Sequence, residues 1–330
     1  MSAVPVPRNV LVTVFGGTGF VGRHTVRALA RAGYRIRVAA RYPHEGFFLA
    51  SMGQVGQIVT VKCNVDDPDQ VASAVTGAAA VINLTGINYE RGEQTFEAVH
   101  IQGARTIAQA AKAAGAKALV HVSAIGADRN ADSAYSASKG EGELAVREEY
   151  ADAAILRPSL VFGPEDDFFN RFAAMSRFLP FLPLIGGGKT RFQPVFVGDL
   201  ADAVIRCVED QATRGRTFEI GGPVVYTFKE LMEVVKRETA RNPILVPVPF
   251  FLASVQAMFL QFAPKPMLTP EHVTRLKTDN IVTGSETLAS LGISPTSVEA
   301  EVPSYLWRYR PKGQYDESVR DKLTEMRSAP

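Results

Sequence analysis

The first half of the chain alternates short apolar runs rich in Val and Ile with longer segments in which apolar residues recur at helical spacing. Val10–Phe15 is β-branched and unbroken, as a strand buried on both faces is, and the amphipathic segment behind it closes at Gly33. Arg35–Ala40 reads as a second strand and Gln57–Val61 as a third, followed by a helix from Pro68 to Thr76. Ala80–Leu84 is a fourth strand, Thr95–Ala114 a helix, Ala118–Val122 a fifth strand, Ala134–Glu149 a helix and Ala153–Leu156 a sixth strand. Parallel strands need such crossover helices, so the pattern predicts an α/β fold with a doubly wound parallel sheet whose ligand lies beyond the carboxyl ends of the strands. This first domain is expected over 1–165, a smaller C-terminal α/β domain over 166–285 with parts of the sheet returning near 190–222, and an extended tail over 286–330.

Between the first strand and its helix the chain reads Gly16-Gly17-Thr18-Gly19-Phe20-Val21-Gly22. Gly17, Gly19 and Gly22 fit G-x-G-x-x-G, and Gly16, Gly19 and Gly22 fit G-x-x-G-x-x-G. Glycine is needed there for a tight turn, for close approach of backbone to a pyrophosphate and for contact of helix with strand, while the helix N-terminus offers free N–H groups to the phosphates. The signature therefore predicts dinucleotide binding. An NAD-binding unit ends its second strand on an acid that accepts the ribose 2′-hydroxyl. This chain has Arg41 there, with Arg37 close by and no carboxylate before Glu45, which favours NADP(H). A solvated loop arginine is the alternative reading of Arg41. Asn64-Val65 and the Leu84-Thr85-Gly86 turn also fall at the sheet edge where the cofactor passes.

Composition changes this picture little. The 330 residues allow a large core, the 46% apolar and 21% charged content is that of a globular protein, and a net charge of +2 gives no pull toward nucleic acid. Cys63 and Cys207 are too few for a disulfide framework or a zinc site and point to a reducing compartment. The start of the chain carries neither a signal nor a transit pattern. His24, His44, His100, His121 and His272 are scattered, and Asp166-Asp167 reads as a solvated pair, so no metal is expected.

Tyr135 and Lys139 are four apart on a predicted helix and share one face. A cation held beside the phenol makes it a usable general acid or base, and the ammonium can hold a nicotinamide ribose. With the glycine turn, the Asn64-Val65 turn, Arg157–Pro164, Pro194–Ala203 and Phe218–Pro223, the chain resembles the extended and atypical branch of the short-chain dehydrogenase/reductase superfamily over about 15–240. The resemblance implies a Rossmann-type sheet, a catalytic set of Tyr135, Lys139 and Ser123, and nucleotide contacts that add Pro158, Ser159 and Leu160 to the residues above. In that superfamily a hydroxyl after strand five, usually the second of a Ser-Ser pair, orients the substrate; this chain reads Ser123-Ala124. Either Ser123 takes that role or the hydroxyl is missing.

Val81–Glu90, Val120–Ser123, Phe168–Phe178 and Gln193–Val197 are similar to a narrower family, the NADPH-binding accessory subunits of respiratory complex I. That resemblance implies a nucleotide outside the electron path, other complex I subunits in the peripheral arm as partners, and a place on the cytoplasmic face of a bacterial inner membrane. A free NADP-dependent oxidoreductase or epimerase is the alternative. Pro243–Pro264 carries no charge and is Phe-rich from Phe250. Its 14 residues from Phe250 to Ala263 would make a helix of about 21 Å, too short to cross a hydrocarbon core of about 30 Å. It fits an interfacial helix, a partner-binding helix or a helix in the protein's own small domain. Leu179–Gly188 reads as an apolar lid or docking loop, and the basic Arg308–Lys312 segment as a docking extension onto a larger partner, anionic lipid or RNA being the other surfaces it suits.

Overall fold

A computed structural model describes residues 9–263 and 266–313. The start of the chain, Pro264 and the tail from Gln314 onward, all of which enter the expectations above, lie outside the described residues. The first unit is built on β1 (Leu11–Phe15), α1 (Phe20–Arg31), β2 (Arg35–Ala40), β3 (Ile58–Lys62), α2 (Pro68–Val75), β4 (Ala80–Asn83), α3 (Gly103–Ala113), β5 (Ala118–Val122), α4 (Ala134–Glu149) and β6 (Ala154–Pro158). A seventh strand, Thr217–Ile220, lies beside β6, giving the order seventh–β6–β5–β4–β1–β2–β3 with every neighbour parallel. The order reverses between β1 and β4, which is where a doubly wound sheet opens its ligand crevice. The expected alternation is therefore observed.

The local reasons are legible. β1 is buried from Val12 to Phe15, and Gly16 turns the chain at φ 74° before α1 starts with Gly19 at its N-cap. α1 packs against α6 (Val197–Glu209) on one face of the sheet. On the other face, Val71, Val75, Ala104, Ile107, Ala108 and Val146 of α2, α3 and α4 close over Phe15, Val81 and Leu119. The helix expected at Thr95–Ala114 is divided: Glu97–Gln102 is a π-helical turn that runs into α3.

The chain divides into two compact units. One comprises the chain to Leu160, Val197–Gly221 and Asn280–Pro295; the other comprises Val161–Phe196, Gly222–Asp279 and the chain from Thr296. The sequence reading draws contiguous blocks apart from a return of the sheet near 190–222; here Val197–Gly221 and also Asn280–Pro295 belong with the first unit. The seventh strand needs β6 as its neighbour, and Asn280–Pro295 is pinned to the first unit: the Glu219 carboxylate accepts from the N–H of Thr283 (2.6 Å) and Gly284 (2.8 Å), and Ser159 Oγ donates to Asn280 O (2.8 Å). The described part of the expected tail is folded as well. Leu288 and Leu291 are buried in the first unit, and Val298, Val302, Tyr305 and Leu306 in the second.

Within the second unit, Asp166 corrects the solvated-pair reading. It stands ahead of α5 (Phe169–Phe178), buried, and accepts from Gly163 N–H (3.1 Å), Asn170 N–H (3.1 Å) and Tyr305 OH (2.7 Å); Asp167 alone is exposed. Burial raises the Asp166 carboxyl above its ordinary range, against the pull of these donors. The expected lid Leu179–Gly188 is largely the strand Phe181–Ile185, paired parallel with Ile244–Val248. α7 (Phe228–Thr239) carries a capping box at Thr227 and Glu230. α8 (Phe250–Leu260) packs through Ala253 and Ala257, one turn apart, and leaves Phe251 80%, Phe259 73% and the following Phe262 82% exposed. No described helix is long and apolar enough to cross a membrane.

Candidate functional site

The turn after β1 is built so that only glycine fits at its closed points. A Cβ on Gly22 would lie 2.1 Å from Gly16 O and 2.6 Å from Gly17 C, and one on Gly16 would lie 2.8 Å from the Leu84 carbonyl. Gly17 is closed by the Val38 side chain, 2.8 Å from its Cβ position. Gly19 differs: it is exposed, and its Cβ position is in ordinary contact at 3.4 Å from Gly16 O. Gly16 and Gly22 thus set the turn, while Gly19 keeps the N-terminal face of α1 open to a ligand. Thr18, Phe20 and Val21 complete the turn, half buried. A cradle that a side chain would fill, in front of first-turn N–H groups, fits a pyrophosphate.

Arg41 follows β2, exposed and with no hydrogen-bond or ion-pair partner among the described residues. Arg37 does not join it. Its guanidinium donates to the carbonyls of Ala74 (2.7 Å) and Thr76 (2.8 Å) at the end of α2, so the helix C-terminus holds that charge. Asn64 is held by its N–H to Gln70 Oε1 (3.0 Å), and Val65 packs where Gly103 leaves room, 2.8 Å from the Cβ position.

Thr85 is fixed from below by a polar pair that the sequence reading passed over. Asn83 Oδ1 accepts from Thr85 N–H (3.0 Å) and Thr85 Oγ (2.6 Å), which turns the Asn83 amide N toward His121 Nδ1 at 3.1 Å. The network places the His121 proton on Nε2. Asn83 and His121 are register partners on β4 and β5 and both are buried. Burial, with the Lys139 charge second, holds the His121 imidazolium down to about 3, so the ring is uncharged at neutral pH.

Ser133 caps α4 by accepting from Ser136 N–H (3.1 Å), which starts the helix one residue before Tyr135. Tyr135 and Lys139 are both buried, at 9% and 4% exposure, rather than solvated. Lys139 Nζ donates to Val122 O at 3.3 Å and lies 3.3 Å from the Cβ position of Gly86, so the Gly86 turn passes directly over the ammonium. His100, dismissed as scattered, sits beneath. Ile87 N–H donates to its Nε2 (3.0 Å), its Nδ1 faces Ser138 Oγ (2.9 Å), and its ring meets Tyr135 edge-on at 5.4 Å. Arg157 ties β6 to α4 through a bidentate pair with the buried Glu143, at 2.8 and 2.6 Å.

The two residues after β5 are placed differently. Ala124 shares a hydrophobic cluster with Phe96 and Tyr135, and Ser123 Oγ is buried without a hydrogen-bond partner. The backbone keeps its register, with Ser123 N–H on Leu156 O (2.7 Å) and Ile125 N–H on Pro158 O (3.0 Å). Pro158 thus closes the β5 side of the edge, Ser159 is committed to Asn280, and Leu160 is half buried beside them.

A model of the NAD dependent epimerase/dehydratase family matches residues 12–221, the span that carries the glycine turn, Tyr135 and Lys139. The chain belongs to that family. Nicotinamide dinucleotide is accordingly its cofactor class. Among curated proteins this family member is 35% identical over 306 residues to NADH dehydrogenase [ubiquinone] 1 alpha subcomplex subunit 9, mitochondrial, of Mus musculus, covering 92% of this chain and 81% of that protein. The Arabidopsis thaliana protein of the same name is 33% identical over 329 residues, with 96% and 82% covered. Among solved structures, dTDP-glucose 4,6-dehydratase from Streptomyces venezuelae, with NAD bound, superposes at a TM-score of 0.71 and 20% identity, covering 93% of this chain and 99% of that one. That likeness shows the shared fold.

In an epimerase/dehydratase site of this form, the first-turn N–H groups of α1 would hold the pyrophosphate and Lys139 the ribose hydroxyls, while Tyr135 could move a proton at its phenolic oxygen. The bound cofactor supplies hydride chemistry.

Proposed function

We propose that this protein is an NADP(H)-binding accessory subunit of respiratory complex I, NADH:ubiquinone oxidoreductase, in which the nucleotide is structural and lies outside the electron-transfer path. The observation that carries the reading is a glycine cradle and a buried Tyr135–Lys139 pair combined with an alanine at 124, which clusters with Phe96 and Tyr135 and offers no hydroxyl to a substrate. Loss of one positioning hydrogen bond at a reacting centre is worth about 1–3 kcal/mol and commonly far more in rate. The names of the relatives that cover nine-tenths of the chain support the same reading. Arg41 in place of a ribose-binding acid supports NADP(H) over NAD(H).

The nucleotide contacts proposed are Gly16–Gly22, Arg41, Asn64, Val65, Leu84–Gly86, Ser123, Tyr135, Lys139 and Pro158–Leu160. The partners proposed are other complex I subunits of the peripheral arm, next to the membrane on the cytoplasmic face of a bacterial inner membrane. The exposed Phe251, Phe259 and Phe262 supply an apolar face for that contact, to protein or lipid head-group region. A second reading, a free NADP-dependent oxidoreductase or epimerase, is favoured by the buried Tyr135–Lys139 pair.

Purification from native membranes separates the two. The accessory-subunit reading expects co-purification with NADH:quinone activity, one NADP(H) per chain on extraction, and near-unchanged turnover in an assembled Tyr135→Phe complex. Lost turnover in a fully assembled Tyr135→Phe complex, or a protein that purifies alone and reduces a carbonyl substrate, overturns it.

A further inference from the structure

The second unit carries a groove that the nucleotide site does not use. It encloses about 540 Å³ between α7 and the strand Ile244–Val248, the size of a small-molecule site. Lys229, Glu233 and Lys236 line it from the helix, Gly187 closes one end, and Asn242 and Pro247 come from the strand and its approach. Lys236 is ion-paired with Glu233 at 3.3 Å. Lys229, two turns earlier and about 10 Å away along α7, is exposed and has no ion-pair partner among the described residues. The groove therefore has one uncompensated positive charge. Its floor is apolar, for no charged residue occurs from 242 to 263 and Ile244 is 69% exposed.

A glycine loop joins this groove to α8. Gly186, Gly187 and Gly188 have φ of 63°, 71° and 71°. A Cβ on Gly186 would lie 2.3 Å from the ring of Phe250, the first residue of α8, and one on Gly188 would lie 3.1 Å from Lys229 Cβ. One on Gly187 would meet nothing within 4 Å. The loop thus packs on α8 at one side and on the stem of Lys229 at the other, and leaves the groove open between them. Val248 pairs with Ile185, so α8 starts at this same end of the strand, where Phe251 is 80% exposed. The free cation stands at the mouth of the groove nearest the apolar helix. Of the 11 residues of α8 only Ser254 and Gln256 are polar, so the helix lacks the polar rim of a protein interface. Exposed rings beside a lysine match the boundary of a bilayer instead, with hydrocarbon at the rings and phosphate at the ammonium.

We infer that the groove is a binding site for one anionic glycerophospholipid of the membrane surface. Lys229 takes the phosphate, the head-group hydroxyls lie toward Asn242 and the Glu233–Lys236 pair, and the acyl chains leave past Pro247 to the α8 face. The inference rests on the membrane-proximal reading above and adds to it a lipid class and the residue that selects it.

The test is co-sedimentation of the full-length protein with vesicles of phosphatidylcholine alone and of phosphatidylcholine mixed with phosphatidylglycerol. The variants are Lys229→Gln, Lys229→Arg and Lys112→Gln, the last removing an exposed lysine of the first unit and so the same net charge. The parent should prefer the mixed vesicles. Lys229→Gln should bind them about fivefold more weakly, the share of one lysine at an anionic surface, and bind phosphatidylcholine alone as the parent does. Lys229→Arg should keep the preference, Lys112→Gln should leave it nearly unchanged, and NADPH affinity should be equal in all four proteins. Monomeric short-chain phosphatidylglycerol should bind the parent saturably and Lys229→Gln more weakly. Equal losses in Lys229→Gln and Lys112→Gln, the result that diffuse attraction gives, overturn the inference. So does a parent that binds the two kinds of vesicle alike or neither of them. The complex I reading is decided separately, by co-purification with NADH:quinone activity, and survives each of these failures.

Discussion

Gly19 and Gly22 are three residues apart in one motif, yet substituting them should break different things. At Gly22 the added Cβ of alanine would lie 2.1 Å from Gly16 O and 2.6 Å from Gly17 backbone, so α1 must lift off the turn by more than an ångström. Overpacking of this kind costs about 1–3 kcal/mol, and relief of glycine's poor helix propensity returns only about 1 kcal/mol. The backbone contact is among the tightest that any glycine of the described chain would meet, which places Gly22→Ala at the upper end, a net loss of about 2 kcal/mol. At Gly19 the backbone angles, φ −71° and ψ −178°, suit any residue, and a Cβ meets only Gly16 O at 3.4 Å. Gly19→Val should therefore shift the stability of the nucleotide-free protein by no more than about 1 kcal/mol, the size of an N-cap change. It should still weaken the nucleotide about 10- to 100-fold, because the valine methyls stand where the pyrophosphate must approach the first-turn N–H groups, and a charge-assisted hydrogen bond is worth about 1.5–3 kcal/mol. Urea unfolding of nucleotide-free protein and dissociation constants for NADPH measure the two effects separately. A Gly19→Val protein that holds nucleotide like its parent, or a Gly22→Ala protein of parental stability, would refute the division of labour within the turn.

Replacing Arg41 by Asp should invert the dinucleotide preference toward NAD(H); extraction of only NAD(H) from the unmodified protein would contradict the premise. The His121 imidazolium is held down to about 3 from an ordinary 6.5, so the unfolded chain binds the extra proton first. Stability is therefore complete above about pH 6.5 and falls toward pH 3 by as much as about 1.4 kcal/mol per unit, and His121→Gln should flatten that limb of an acid-denaturation curve. The Asp166 carboxyl has the opposite sign: its raised value means the folded chain holds that proton longer, so this group's contribution weakens as pH rises through the carboxylate range, and Asp166→Asn should remove the dependence. Burial pushes the thiols of Cys63 up to about 11 and Cys207 up to about 12, so iodoacetamide at neutral pH should label neither until the protein is unfolded. Changing Phe251, Phe259 and Phe262 together to Ser should leave nucleotide binding intact and reduce recovery with membranes; undiminished membrane recovery would count against α8 as a docking face.

The parallel sheet, its crossover helices and the glycine turn were legible in the chain because each rests on local chemistry. β-branched runs make buried strands, Gly22 is required by contacts with Gly16 and Gly17, and Gly16 by the positive φ of the turn itself. The candidate roles of Tyr135, Lys139 and Arg41 were legible for the same reason, since helical spacing and a strand end place them without knowledge of the rest. What needed the tertiary structure was every pairing between elements distant in sequence. Arg37 is three residues from the end of β2 yet is claimed by carbonyls at the end of α2, and His100 is one of five scattered histidines until a π-turn sets it between Ile87 and Ser138. Asp166 becomes a buried acceptor only when Tyr305 arrives from a segment 139 residues later. Ser123 and Ala124 are neighbours in sequence, but only the packing puts Ala124 in a cluster with Phe96 and Tyr135 and leaves Ser123 Oγ buried without a hydrogen-bond partner. The units interleave because hydrogen-bonded neighbours in a sheet are chosen by edge availability, so Thr217–Ile220 joins β6 and Asn280–Pro295 follows Glu219, and hydrophobic periodicity carries no record of which edge is free.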